Sequence, residues 1–113
     1  MTYEGGLVRA MIKMTVFYPY GEAQRFDMDY YVNKHVAMVK EKVGAALVGV
    51  TVERGLGGPG PGMPPVYSVI AQLYFESMEA LETHCAPHSP MFDADVPNFT
   101  DITPIIQISE VVL

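Results

Sequence analysis

The sequence has a single cysteine, Cys85, so no disulfide can form within the chain. That scarcity fits a reducing compartment, and a cytoplasmic location is expected. Tryptophan is absent. Basic residues are few: 7 Lys and Arg stand against 13 Asp and Glu, for a net charge of −6. A nucleic-acid surface needs a basic patch, and these scattered cations do not form one. No apolar run approaches the ~20 residues that span a bilayer as a helix. The first residues lack the basic and apolar regions of a signal peptide. Neither nucleic acid nor a membrane is therefore an expected partner. What the chain does have is apolar side chains, half of its 113 residues, with under a fifth charged. This composition argues against general disorder. The length fits one domain with a modest core.

Residues 1–10, MTYEGGLVRA, carry no period and are expected to be a loose extension; the domain is expected to span 11–113. Residues 11–18 read as a strand stopped by Pro19. One of its faces, Ile12, Met14, Val16 and Tyr18, is apolar throughout, and the other is mixed. Residues 27–43 read as a helix. Asp27 caps it, Phe26 and Tyr31 form a hydrophobic staple, and Gly44 stops it. At about 100° per residue, Met28, Val32, His35, Val36, Val39 and Val43 share its inner face.

A second strand is expected over 47–54 and a third over 66–75, joined by a hairpin loop of almost pure Gly and Pro. Ser77 opens a short helix that Pro87 ends, residues 89–93 add a helical turn, and the last strand covers 104–113. The order β-α-β-β-α-β predicts an α+β fold: a four-stranded antiparallel sheet with its helices on one face. Apolar residues on the first and last strands predict that both sheet faces need cover. A second copy, packed sheet to sheet, would supply it and leave a largely apolar chamber between or inside the sheets.

Several segments together resemble the EthD family: FYP at 17–19, FDMDYYVNKHVAMV at 26–39, VYSVIAQLYFESMEAL at 66–81, DVPNFT at 95–100 and the closing PIIQISEVVL. The resemblance covers roughly residues 11–113, and the Tyr-Tyr-x₃-His helix and the D-x-P-N-F-T segment are its most specific parts. It implies a ferredoxin-like fold that pairs into a dimeric α/β barrel. It also implies a homodimer that takes a small apolar organic ligand, in the degradation or biosynthesis of organic compounds. The wider superfamily includes cofactor-free quinol monooxygenases, polyketide cyclases and isomerases, as well as proteins without assigned activity. Fold analogy therefore locates a site without naming its reaction.

His35 is the leading candidate for catalysis, because imidazole titrates near neutrality and suits proton transfer. The competing reading is a core histidine bonded to the sheet. Tyr31 lies one turn earlier on the same side and can orient the ring or a substrate; it also serves the staple. Tyr18 and Tyr74, on strands, are candidate substrate-binding residues, although parity does not decide which face lines a chamber. Asn98 is a third, since the resemblance puts its segment near the pocket mouth. Its neighbours Asp95 and Thr100 suit turn and capping bonds.

His84, Cys85 and His88 lack a standard metal spacing, and Pro87 breaks the helix that would align them. Cys85 has no cue for a lowered pKa. The Gly-Pro loop lacks the lysine and helix start of a phosphate cradle. No metal and no cofactor are expected. The reading is a cofactor-independent oxidoreductase (oxidase or monooxygenase), cyclase or isomerase using His35 as acid/base. The alternative is a non-catalytic ligand-binding or accessory dimer.

Overall fold

A computed structural model describes residues 11–22 and 24–113. The expectation for residues 1–10 lies outside these. Strands β1 (Met11–Pro19), β2 (Gly49–Arg54), β3 (Tyr67–Phe75) and β4 (Ile105–Val111) form one antiparallel sheet in the order β2-β3-β1-β4. The first and last strands are therefore neighbours, and the Gly-Pro hairpin lies at the far edge. This is the ferredoxin-like arrangement the element order predicts. Strand ends differ from expectation by one or two residues.

The first helical run is less regular than its periodicity implies. It comprises α1 (Met28–Tyr30), a π-helical turn at Tyr31–His35, and α2 (Val36–Val43). Asp27 caps the start by accepting from the Tyr30 N–H at 3.0 Å, and Gly44 ends α2 at φ 70°, a conformation that costs glycine little. In the π turn the N–H of Val36 bonds to the carbonyl of Tyr31, five residues back. The turn is wider than an α turn, so the α spacing fails there. Val32, expected on the inner face, is 44% exposed, whereas Tyr31 and His35 are both buried. The second helical region is α3 (Met78–His84), capped by Ser77, and α4 (Ser89–Asp95).

The helices cover the even-numbered face of β1. Ile12, Met14 and Val16 stand opposite Phe75, Leu73 and Ala71 of β3. Val39, Val43, Leu81 and Cys85 pack with Leu73 and Phe75 in one core cluster. Tyr18, Tyr31, Val36 and Phe99 belong to the other. Each fully buried large apolar side chain contributes about 1.5–3 kcal/mol.

The other face differs from expectation. A polar band crosses its centre, because Thr15 stands opposite Gln72 and Gln107, and Gln72 opposite Thr51. Tyr74 donates to Gln72 and Gln72 donates to Glu53, each at 2.9 Å. Apolar groups flank the band: Phe17 lies against Tyr67, with ring centroids 4.7 Å apart, and Ile105 is exposed. The apolar side chains of β1 that called for a partner are those its own helices cover.

A clasp joins the two halves. Phe26 and Thr100 form an isolated β-bridge, and the Asp27 N–H donates to the Phe99 carbonyl at 2.8 Å. The Thr100 hydroxyl donates to the Arg25 carbonyl at 2.6 Å. The Arg25 N–H donates to Asp101 at 3.0 Å, and its guanidinium to the Pro97 carbonyl at 2.9 Å. The clasp holds the segment after α4 beside the start of the first helix.

Candidate functional site

Two elements supply the site's polar atoms. The π turn directs Tyr31 and His35 toward the sheet, and the clasp brings in the residues that follow α4. His35 Nδ1 lies 2.8 Å from Asp95 Oδ2. The other carboxylate oxygen accepts from the Tyr30 hydroxyl at 2.8 Å and from the Asn98 amide at 2.9 Å. Burial acts to raise the Asp95 pKa, but hydrogen bonds from Asn98, His35 and Tyr30, together with the charge of His35, hold it below its ordinary value. An ionised carboxylate only accepts, so the Nδ1–H donates. In the neutral ring the lone pair is then on Nε2. Among the described residues, Nδ1 makes the ring's only hydrogen bond.

Aromatic rings fix the imidazole. Tyr31 stacks on His35 at 5.3 Å with planes 15° apart, and Phe99 meets it at 4.7 Å. Phe99 is fully buried and also touches Tyr18, Phe26, Tyr30 and Tyr31. Phe26 and Tyr31, 5.0 Å apart, make the contact of the predicted staple. The Tyr18 hydroxyl donates to the Tyr31 hydroxyl over a long 3.4 Å. That leaves the Tyr31 O–H as a buried donor with no acceptor among the described residues. Burial pushes both phenols up, and contact with Tyr31 adds to the rise at Tyr18, so they remain neutral donors.

These groups border an apolar cavity of about 80 Å³ between helices and sheet. A water needs about 10–15 Å³ on this measure, so several waters or a small organic molecule fit. Met14, Val16, Ala71, Leu73, Val36 and Val39 form much of the wall, and Tyr18, Tyr31 and His35 are its inner polar groups. Ser89, Asp93, Pro104 and Ile106 also line it. The wall is largely hydrocarbon, with the His35 base and the Tyr31 phenol inside it and Ser89 and Asp93 adding polar atoms. Such a space can take a mostly apolar molecule with one oxygen function and move a proton on it.

The candidate residues separate. His35, Tyr31 and Tyr18 line one cavity. Tyr74 does not join them: it lies on the opposite sheet face, level with Lys13 and bonded to Gln72. Asn98 is exposed and serves Asp95 rather than lining the cavity. Asp95 and Phe99 are the residues the sequence reading missed. Asp95 has a turn bond with Asn98, but its other partners are His35 and Tyr30. Among the described residues, no group of three or more His, Cys, Asp and Glu could hold a metal ion. Burial raises the Cys85 thiol, leaving it protonated and inert. None of the described helices is long and apolar enough to cross a membrane.

The EthD domain model matches residues 20–103. An EthD-like protein from Ralstonia eutropha is 41% identical, with a TM-score of 0.86 over 93% of this chain and 95% of that one. An EthD family protein from Bacillus halodurans is 20% identical and shares the fold, with a TM-score of 0.65 over 90% of this chain and 99% of that one. No curated protein matches the chain.

Proposed function

The chain belongs to the EthD family, and we propose that it binds a small, largely apolar organic molecule in this cavity and that His35 moves a proton on it. The observation that carries the reading is the Asp95–His35 pair at the wall of a largely apolar space. Asp95 holds the ring with Nδ1 protonated and would stabilise the imidazolium once Nε2 takes a proton. The proton comes from an acidic C–H or O–H of the ligand. Tyr31, a neutral donor, faces the oxygen on which negative charge then grows. Low polarity around both groups strengthens these interactions.

Returning the proton to another atom is an isomerisation, or a cyclisation if a ring bond forms first. Passing the carbanion's electrons to dioxygen gives a cofactor-independent oxidation. All three use the same base. We further propose that the working form is a homodimer paired through the sheet face that no described helix covers. Ile105, on that face, is about half exposed, which favours a covered arrangement.

Native mass spectrometry of protein purified from its own host tests the binding step. A bound small molecule, converted by the wild type but not by His35→Gln, supports the reading. A molecule bound and converted equally by both would remove His35 from the chemistry. If no adduct is found and no small organic molecule raises the melting temperature, the cavity does not bind ligands.

A further inference from the structure

The inner cavity does not end at its mouth. Asp93, Val96, Pro104 and Ile106 line it and also line a wider groove of about 640 Å³ on the outside. The groove continues along Arg25, Thr100, Asp101 and Thr103. Its character changes on the way out, from a hydrocarbon wall to one with hydroxyls and charges. The Arg25 guanidinium has five N–H donors. Among the described residues it makes one hydrogen bond, to the Pro97 carbonyl.

We propose that cavity and groove form one binding tract and that the ligand is an elongated molecule. This rests on the reading that the inner cavity holds a ligand. A compact apolar head with one hydroxyl or enol oxygen sits against Tyr31 and His35. A flexible arm passes Val96 and Ile106, and a neutral acceptor oxygen at its end meets Arg25. The arm's end is neutral because the groove is lined by two carboxylates, Asp93 and Asp101, as well as by one guanidinium. An anionic end would meet the carboxylates and a cationic end the guanidinium. The tract therefore discriminates by length and by the charge of the far end. Arg25 and Asp101 of the clasp, with Asp93 where cavity and groove meet, set that preference.

The test uses two probes with one head: para-cresol, and a para-alkylphenol whose hexyl chain ends in a hydroxyl. Amide shifts of labelled protein are followed with each. The long probe should bind about tenfold tighter than para-cresol through the extra buried methylenes. It should shift Asp101, Thr103 and Ile106 in addition to the Tyr31–Val36 turn. Thr103→Trp, which obstructs the exposed groove alone, should abolish the gain while para-cresol binds as before. Equal affinities with shifts confined to the inner cavity would overturn the tract and leave the cavity reading standing. A gain that survives Thr103→Trp would overturn it too. If neither probe shifts His35, the cavity reading fails and the tract fails with it.

Discussion

The rings of Tyr31 and His35 lie 5.3 Å apart and within 15° of parallel, although both belong to one turn of a single helical run. His35 is also 7% exposed and bonded to Asp95. A packed histidine and a working histidine are therefore not alternatives here. His35→Ala should cost about 1–3 kcal/mol, from the space left and the bond lost by Asp95. Urea unfolding measures it. A change within about 0.5 kcal/mol would mean that the ring contributes little to packing.

Asp95→Asn should release the tautomer of His35, because an amide can donate to Nδ1 as readily as accept from it. Nitrogen shifts of the ring should change from the Nδ1–H form to a mixture. The pH dependence should change too. The Asp95 carboxyl titrates lower folded than unfolded. Its stabilisation is therefore complete above the unfolded value of about 4 and is lost as pH falls through the folded value. Thermal melts on acidification should show a shallower loss in the variant. Identical acid limbs would assign the loss to other carboxylates.

Tyr18 and Tyr31 should ionise above the ordinary phenol value of about 10, because burial disfavours their charged forms. Their contribution to stability holds below about pH 10 and is lost as pH rises beyond it. Ultraviolet titration should show these phenols ionising late, or only with unfolding. Tyr18→Phe should cost under about 1 kcal/mol, given its long hydrogen bond. Tyr31→Phe should weaken a bound hydroxyl ligand by roughly tenfold. Unchanged ligand affinity in Tyr31→Phe would remove that phenol from the site.

Sedimentation at micromolar concentration should show a dimer with an interface on the order of 1,500 Å². Phe17→Glu, on the face without described helices, should shift it to monomer by placing a charge in the contact. A wild-type monomer would exclude pairing through this face.

The strands, the caps and the order of elements were legible because they rest on local signals: Pro19 and Gly44 as stops, Asp27 and Ser77 as caps. Tyr31 and His35 were legible as a pair because they are four residues apart. Asp95 was not legible as their partner. It lies 60 residues from His35, and that contact depends on the clasp between residues 25–27 and 97–101, which has no periodic signature. Phe99 lay within a recognised segment, but burial at the meeting point of both halves is a tertiary property. Tyr74 was separated from the others for a simpler reason. Alternation separates two faces of a strand without saying which the helices will cover, so Tyr18 and Tyr74 were equally plausible until the register was known.

The π turn means that the helical run holds one residue more than an ordinary α-helix of the same number of turns would need. Val32, outward-facing, is the natural candidate for that surplus. A chain lacking it could close the usual four-residue ladder and gain a more regular helix. The rest of the run would keep its orientation, but His35 would then follow Tyr31 by three residues instead of four, about 300° around an α-helix, and the wide turn that stacks the two rings beside the carboxylate would be gone. A single-codon deletion would thus favour the scaffold at the expense of the chemistry, a trade that selection for folding alone would accept and selection for function would refuse.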